Sequence, residues 1–291
     1  MKIHPKKALG QHFLTDKNIA KKIVHAITLP SSATIIELGP GTGALTRLLD
    51  ECMAVSHGRV IAIELDQRSI SYLEGLSLKV TTIRHGDMLK LNFRPLADEV
   101  GAPVTIVSNL PYNISGPMLA KLFDQRRYIS KAVLMVQKEM AERVAATPGN
   151  KQYGVLSVFL QYAYEVERLF AVPRSAFSPR PKVQSMVIRL TKRKEAPLVT
   201  VFHAHDSGAA FDVAYFTHMA DEALFKKVVR CAFQMRRKKI KNALSPLMRT
   251  GKREIQMKEL LNSIGISAEK RPEELHVEDF IKISNKLMQH I

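Results

Sequence analysis

A glycine-rich loop near the amino terminus constrains the fold of this chain more than any other segment. The loop spans Glu37–Thr46 (ELGPGTGALT) and follows the apolar run 33–36, which is typical of a buried strand. Apolar residues at helical spacing follow over 44–54. Gly39 and Gly41 let the backbone adopt positive φ angles and approach a ligand closely. Strand, loop and helix together predict the first βα unit of a nucleotide-binding sheet.

The spacing of the glycines limits the class of ligand that the loop can bind. They read G-x-G-x-G, whereas dinucleotide-binding loops read G-x-G-x-x-G, so a pyrophosphate is not implied. The same difference argues against a nicotinamide oxidoreductase on this fold. Taken alone, the loop is equally compatible with a plain tight turn, so the following strands carry the argument.

The second strand candidate, 60–66, ends in the carboxylates Glu64 and Asp66. An acid at the tip of the second strand can accept hydrogen bonds from both hydroxyls of a ribose. We assign this role to Glu64, while Asp66 is suited to cap the helix that follows. A solvated acid at the end of a strand is the alternative for either residue.

Two further strand candidates, 80–84 and 104–108, lead into polar residues. The first leads into Asp87, which could accept a hydrogen bond from an adenine amino group, and the second leads into an asparagine. Ligands of open α/β sheets bind at the carboxyl ends of the strands. One edge of the sheet is therefore expected to gather a ligand site from four strands, at Gly39, Glu64, Asp87 and Asn109.

The tetrapeptide Asn109-Leu110-Pro111-Tyr112 is suited to hold the exocyclic amino group of a base. Such an amino group is a poor nucleophile, because its lone pair is delocalised into the ring. The Asn109 side-chain oxygen and the backbone carbonyl of Leu110 can accept its hydrogens, preorganised where charge develops. Pro111 fixes its φ angle and removes a competing N–H group, and Tyr112 offers a stacking surface. A strand that ends in an ordinary turn is the alternative.

Together these motifs resemble the ribosomal RNA small-subunit adenine N6,N6-dimethyltransferase family, which is related to the erythromycin-resistance methylases. The resemblance covers most of residues 6–291. It rests on Gly10–Leu14, Glu37–Thr46, Ile63–Asp66, Gly86–Asp87, Asn109–Ser115, Gln137–Glu139, Phe177–Val183 and Phe233–Lys238. It implies an α/β fold, a Rossmann-like class I methyltransferase with a smaller C-terminal helical domain.

The resemblance also implies roles for single residues. S-adenosylmethionine, the methyl donor, would be bound by His12, Leu14, Gly39, Gly41, Glu64, Asp87 and Asn109. The target adenine would be held by Asn109, Leu110, Pro111 and Tyr112, with Phe177 closing on its other face. Many members of the family carry Asn at the position of His12.

The implied reaction is methylation of adenine N6 in small-subunit ribosomal RNA, giving two adjacent dimethyladenosines in a hairpin near the 3′ end during ribosome biogenesis. The implied enzyme is a cytoplasmic monomer that acts on a pre-ribosomal 30S-like particle. One alternative is a large-subunit adenine methylase that confers macrolide resistance. Another is a ribosome-assembly factor for which methylation is secondary.

Composition agrees with a nucleic-acid partner. The chain has 44 Lys and Arg against 27 Asp and Glu, a net charge of +17, which implies a polyanionic partner, either nucleic acid or an anionic membrane surface. No apolar run is long enough to span a bilayer, and no secretory signal is evident. The two cysteines, Cys52 and Cys231, offer no disulfide framework and indicate a reducing compartment. His203 and His205 lack further ligands at metal-binding spacing, so we expect no metal.

Basic residues cluster in the carboxyl-terminal third. Residues 225–253 contain eleven basic residues and no acid, and their apolar residues recur at helical spacing. We expect one amphipathic helix that ends near Pro246 and binds RNA phosphates, a solvated helix face being the alternative. We expect a methyltransferase domain over 1–192, a linker over 193–221 that includes at most a short helix, and a helical region from Asp221 to 291. Its later helices are expected at 257–264 and Val277–Met288, with Gly265 as a helix C-cap.

Overall fold

A computed structural model describes residues 5–6, 10–27, 33–194, 199–204, 210–215, 221–248 and 253–289. Short strands β1 and β8 pair with each other, β10 and β11 form a separate two-stranded sheet, and the others form one sheet. The strands are β1 Phe13–Leu14, β2 Thr34–Leu38, β3 Arg59–Glu64, β4 Thr81–His85, β5 Val104–Asn109, β6 Ile129–Gln137, β7 Tyr164–Val172, β8 Phe177–Ser178, β9 Ser185–Lys192, β10 Val199–Ala204 and β11 Ala210–Tyr215.

The helices follow the strands through the first half of the chain and dominate its carboxyl-terminal part. They are α1 Lys17–His25, α2 Thr46–Val55, α3 Gln67–Glu74, α4 Phe93–Val100, α5 Ser115–Asp124, α6 Lys138–Val144, α7 Val155–Ala163, α8 Glu222–Gln234, α9 Ile240–Leu244, α10 Arg253–Ser263 and α11 Val277–Met288. Among the residues described, none of these helices combines the length and apolarity needed to cross a membrane.

The main sheet has seven strands in the order β4-β3-β2-β5-β6-β9-β7. The pairs from β4 through β6 are parallel, whereas β9 runs antiparallel to both of its neighbours. The central strand β2 is buried along its whole length, which explains its continuous apolar run. The order reverses between β2 and β5, the place where open α/β sheets form their ligand crevice. The predicted α/β class is confirmed.

Two compact units divide the chain differently from the predicted boundary. The first comprises 1–142 and 164–192, and the second comprises 143–163 and 193–291. The first unit ends at residue 192, and 143–163 groups with the carboxyl-terminal residues. The cause is packing, because the Phe159 and Tyr162 rings lie 6.0 and 5.3 Å from Phe225 in α8.

The segment predicted as a linker contains regular structure. The backbones of β10 and β11 pair in antiparallel register from Val199↔Tyr215 to Ala204↔Ala210. The β-branched and aromatic residues of 199–202 were the available signal, and the composition change at 193 obscured it. His205, one of the two histidines weighed as metal ligands, lies outside the described residues.

The expected single basic helix is two helices. α8 ends at Gln234, and a turn of consecutive cations, Arg236–Lys239, separates it from α9. The turn brings two of these cations to carboxylates. Arg236 pairs with Glu273, and Lys239 pairs with Glu269. Gly265, with φ of 73°, ends α10 in the left-handed conformation, as predicted.

Candidate methyl-donor and adenine site

A cavity of about 300 Å³ opens at the carboxyl ends of the parallel strands. Its walls come from the loops after β2, β3, β4 and β5, together with the amino-terminal segment 10–14. The structure brings almost all of the predicted site residues to this one cavity. Those that line it are His12, Leu14, Gly39, Gly41, Glu64, Asp87, Asn109, Leu110, Pro111 and Tyr112.

The glycine loop forms a cradle without side chains. Gly39 and Gly41 have φ angles of 67° and 58°, which disfavour residues with a side chain. A Cβ atom on Gly39 would lie 3.0 Å from the Met88 Cε atom, and one on Gly41 would lie 3.1 Å from the Phe13 ring. Both glycines are therefore favoured by their positive φ angles in tight surroundings, and they leave bare backbone at the wall of the cavity.

Glu64 is held by the backbone around it. Its Oε2 atom accepts a hydrogen bond from the Gly41 N–H at 2.9 Å, and its Oε1 atom accepts two from Leu65 and Asp66 at 2.8 Å each. The residue is 6% exposed. A carboxylate oxygen can accept more than one hydrogen bond, so Glu64 is fixed in place and retains acceptor capacity for a diol.

Glu37 is a second acid at this edge, at the penultimate position of β2. It is buried, and its Oε2 atom has no hydrogen-bond partner within the described residues. Burial and the neighbouring Glu64 raise the pKa of Glu37 to about 8. The side chain is therefore mostly a neutral carboxylic acid at pH 7.

Asp66 caps the helix that follows it, as predicted. It is the N-cap of α3, and its carboxylate accepts hydrogen bonds from the backbone and side chain of Arg68. The Arg68 hydrogen bond holds the pKa of Asp66 well below its usual range. Asp66 also anchors the amino-terminal segment, because Gln11 donates to it at 3.3 Å and Lys6 lies 3.5 Å away.

The Asn109 amide is oriented by the amino-terminal segment. Its Nδ2 atom donates to the backbone carbonyl of His12 at 3.0 Å, so Oδ1 is the acceptor that the side chain presents. The His12 ring stacks on Tyr112 with 5.4 Å between centroids, and its Nδ1 atom donates to the Pro179 carbonyl at 2.8 Å. The Tyr112 hydroxyl lies 2.6 Å from the Ser185 Oγ atom.

Phe177 is the predicted site residue that does not line the cavity. It is 3% exposed and belongs to the same buried cluster as Ile23. The β1–β8 pairing places it opposite Leu14, a cavity residue. Its contact with the far face of a target base stays a prediction.

Sequence reasoning missed three contributors to the site. Ser185 fixes the Tyr112 hydroxyl from 73 residues away, and no local pattern connects the two. Gln11 ties the amino-terminal segment to Asp66, across 55 residues. Glu37 had a visible signal, since it is an acid within an otherwise apolar strand, but we gave it no role.

The residues present fit S-adenosylmethionine. The bare glycine cradle admits close approach of the donor, and Glu64 has acceptor capacity for ribose hydroxyls. Asp87 lines the wall between Gly86 and Met88, and its Oδ1 atom accepts from the Leu89 N–H at 2.9 Å. That bond fixes the carboxylate and leaves its other oxygen for an adenine amino group.

Solved structures support the fold. A dimethyladenosine transferase from Plasmodium falciparum superposes with a TM-score of 0.72 at 26% identity, covering 94% of this chain and 96% of that one. The 23S rRNA methyltransferase ErmE superposes with a TM-score of 0.66 at 22% identity, covering 95% of this chain and all of that one (100%). At that identity, the second similarity concerns the fold alone.

Sequence comparisons define the family. The ribosomal RNA small subunit methyltransferase A of Geobacillus sp. (strain WCH70) is 40% identical over 98% of this chain and 92% of its own length. The protein of that name from Bacillus cytotoxicus is 38% identical with the same coverage, 98% and 92%. Residues 3–204 match the family described as ribosomal RNA adenine dimethylase. The chain belongs to the ribosomal RNA adenine dimethylase family.

Proposed function

We propose that this enzyme transfers methyl groups from S-adenosylmethionine to N6 of adenines in small-subunit ribosomal RNA, giving two adjacent N6,N6-dimethyladenosines in a hairpin near the 3′ end. The observation that carries the proposal is the oriented Asn109 amide at the wall of a cavity built from the glycine loop and Glu64. The near-complete coverage of relatives named small subunit methyltransferase A supports the choice of RNA.

In this proposal the first part of the site binds the donor. Glu64 accepts the ribose hydroxyls, Asp87 accepts from the adenine amino group, and the backbone at Gly39 and Gly41 approaches the donor. His12 and Leu14 close the cavity from the amino-terminal segment. These contacts orient the donor, which supplies a methyl group already made electrophilic by a sulfonium.

The second part of the site holds the target adenine. The Asn109 Oδ1 atom and the Leu110 carbonyl accept the N6 hydrogens, and Tyr112 stacks on the base. N6 forms the new bond to carbon while sulfur keeps the electron pair of the broken bond. The methylated nitrogen is then cationic and strongly acidic, so its proton passes to water without a dedicated base. Alignment supplies most of the acceleration.

A second transfer follows from the same arrangement. The monomethylated amino group retains one hydrogen, which needs one of the two acceptors. Because Asn109 is neutral, it polarises the N–H bond without removing the proton in the ground state. The other acceptor position then faces the first methyl group.

The second unit is proposed to bind RNA through the cations that carboxylates do not neutralise. Lys227, Arg230, Arg237 and Lys238 are exposed. The first two lie three residues apart on one face of α8, and the others follow in the turn. Arg236 and the lysines 239 and 241 pair with Glu273 and Glu269 instead. The proposed phosphate contacts are thus fewer than the sequence alone indicates.

We further propose that the enzyme acts as a cytoplasmic monomer on a pre-ribosomal 30S-like particle. The free cysteines Cys52 and Cys231 support a reducing compartment. The net charge of +17 supports a large polyanionic partner.

The test is mass mapping of methylated adenines. Small-subunit particles, protein-free small-subunit RNA and large-subunit RNA are each incubated with donor and with either wild-type enzyme or Asn109→Ala. We expect dimethyladenosine in small-subunit RNA with the wild type alone. Methylation confined to large-subunit RNA would favour a resistance methylase, and absence of methylation despite tight particle binding would favour an assembly factor.

A further inference from the structure

A short loop joins the two walls of the adenine pocket. This rim loop, residues 179–184, begins at Pro179, whose carbonyl accepts the hydrogen bond from His12. It ends before Ser185, whose hydroxyl contacts that of Tyr112 at 2.6 Å. Near its end, the Gln184 carbonyl accepts from the Lys138 N–H at 2.9 Å. Both ends of the rim loop are therefore fixed to side chains that line the cavity.

The rim loop is exposed at every residue except the buried Pro181, and it carries no acid. Arg180 and Lys182 are exposed, and residues 168–194 contain no Asp or Glu. The Lys182 carbonyl accepts a hydrogen bond from the exposed Arg174 guanidinium at 3.3 Å, which adds a third cation beside the loop. Between these cations and the sheet lies Val183, an apolar side chain that is 45% exposed.

Chain length keeps these residues close to the pocket. A fully extended chain spans at most about 3.6 Å per residue. Val183 is two residues from Ser185, so their Cα atoms lie within about 7 Å of each other. Arg180 follows Pro179 directly. Two cations and an exposed valine therefore lie within a few residues of the two positions that contact the cavity residues His12 and Tyr112.

Removing an adenine from a base stack has a cost that this surface can offset. Extruding a base costs a few kcal/mol and leaves a gap beside its former neighbours. Nucleic-acid-binding proteins fill such gaps with apolar side chains and hold the adjacent phosphates with Arg or Lys. The rim loop presents both kinds of group within a few residues of the pocket. A single exposed valine elsewhere would need no explanation, so its position carries the argument.

We infer that the rim loop is a second RNA contact, in which Val183 fills the gap left by the target adenine while Arg180 and Lys182 hold the flanking phosphates. This inference rests on the proposed function, because it requires an RNA adenine in the pocket. In this inference, residues of the first unit stabilise the extruded base. The cations of the second unit contribute only to the overall affinity for RNA.

The test compares Val183→Ser with Val55→Ser, the same change at an 83% exposed valine at the end of α2. The probe is small-subunit RNA with 2-aminopurine at the mapped adenine, whose fluorescence rises on unstacking. At saturating enzyme, Val183→Ser should give less than half of the wild-type rise. Its single-turnover methylation of unlabelled RNA should be roughly tenfold slower, since part of an unstacking cost of a few kcal/mol is no longer offset. Val55→Ser should match the wild type in both assays.

The double variant Arg180→Ala/Lys182→Ala tests the phosphate contacts. It should reduce the slope of log RNA affinity against log salt concentration by about 1.4–1.8, the value expected for the loss of two phosphate contacts. Wild-type fluorescence and rate for Val183→Ser, with an active wild-type enzyme, would overturn the inference and leave the proposed function standing. A wild-type enzyme that methylates no small-subunit RNA would remove the proposed function, and this inference with it.

Discussion

The Asn109 side chain is oriented by a residue 97 positions earlier in the chain, since its Nδ2 atom donates to the His12 carbonyl at 3.0 Å. An amide can present either its nitrogen or its oxygen to a ligand. A backbone carbonyl can only accept hydrogen bonds, so the Asn109 nitrogen must face His12 and the Asn109 oxygen is left for the ligand. The amino-terminal segment thus takes part in the chemistry proposed for the end of β5.

Asn109→Ala is expected to lower the rate of methyl transfer by about two to three orders of magnitude, the scale for removal of one preorganised electrostatic group. The measurement is single-turnover transfer at saturating donor, because Asn109 is also assigned to the donor site. Calorimetry of donor binding is the companion measurement. A near wild-type rate would exclude Asn109 as the amino-group acceptor.

Glu64→Gln is expected to weaken donor binding by about 1.5–3 kcal/mol for each charged hydrogen bond lost. It should also lower the free energy of unfolding, since the new amide N–H group would oppose a backbone N–H that the carboxylate now satisfies. Asp50→Asn is the matched control. Asp50 is buried and accepts from the backbone of Lys79 and Val80 outside the cavity.

The control separates stability from binding. Asp50→Asn should reduce the free energy of unfolding and leave donor affinity unchanged, both measured on folded protein below its melting temperature. Equal donor affinity in wild type and Glu64→Gln would contradict the ribose assignment.

The raised pKa of Glu37 predicts that the free energy of unfolding depends on pH. Its pKa rises from 4.5 to about 8 in the folded protein, so the folded state binds more protons than the unfolded state between these values. The stabilising contribution of the protonated form is fully present below pH 4.5 and is lost as the pH rises to about 8. The slope is up to about 1.4 kcal/mol per pH unit.

Urea denaturation from about pH 5 to about pH 8 tests this dependence. The stability of Glu37→Gln relative to the wild type should increase steadily with pH, because glutamine does not ionise. Glu51→Gln, at an exposed position on α2, should follow the wild type. A constant difference between wild type and Glu37→Gln across the range would mean that Glu37 is ionised throughout.

The cations of the basic turn and of the start of α9 should divide into two functional pairs. Arg237→Ala/Lys238→Ala should reduce the salt slope of RNA affinity by about 1.4–1.8, the value for two phosphate contacts. Arg236→Ala/Lys241→Ala should change the slope less and stability more, because both cations pair with glutamates. Equal slopes for the two double variants would assign no special role to the exposed pair. Donor affinity should stay constant in both.

The sequence predicted the sheet and its ligand edge well, for a physical reason. Buried parallel strands read as continuous apolar runs, and their carboxyl ends meet at one edge, so the sequence alone was enough to place Glu64 and Asn109 together. Val277–Met288 was also predicted to be helical, and its bounds are as observed. Local periodicity carries such information directly.

What the sequence could not predict depends on distant partners. Arg143–Ala163 packs with residues some sixty positions later, and the basic turn is set by Glu269 and Glu273. The hydrogen bond between the Tyr112 and Ser185 hydroxyls has no local pattern either. Periodicity reports which face of an element is buried but not which element covers it.

The inclusion of residues 143–163 in the second unit has a consequence for biosynthesis. The ribosome delivers α7, with Val158, Phe159 and Leu160 all buried in the finished protein, well before it delivers α8 and α11. During that interval the apolar face of α7 lacks its final covering. Nascent chains halted near residue 192 should therefore recruit chaperones that bind hydrophobic segments, and an isolated fragment 1–192 should aggregate. The enzyme is divided into units by its packing, yet it cannot be divided at a single point along its chain.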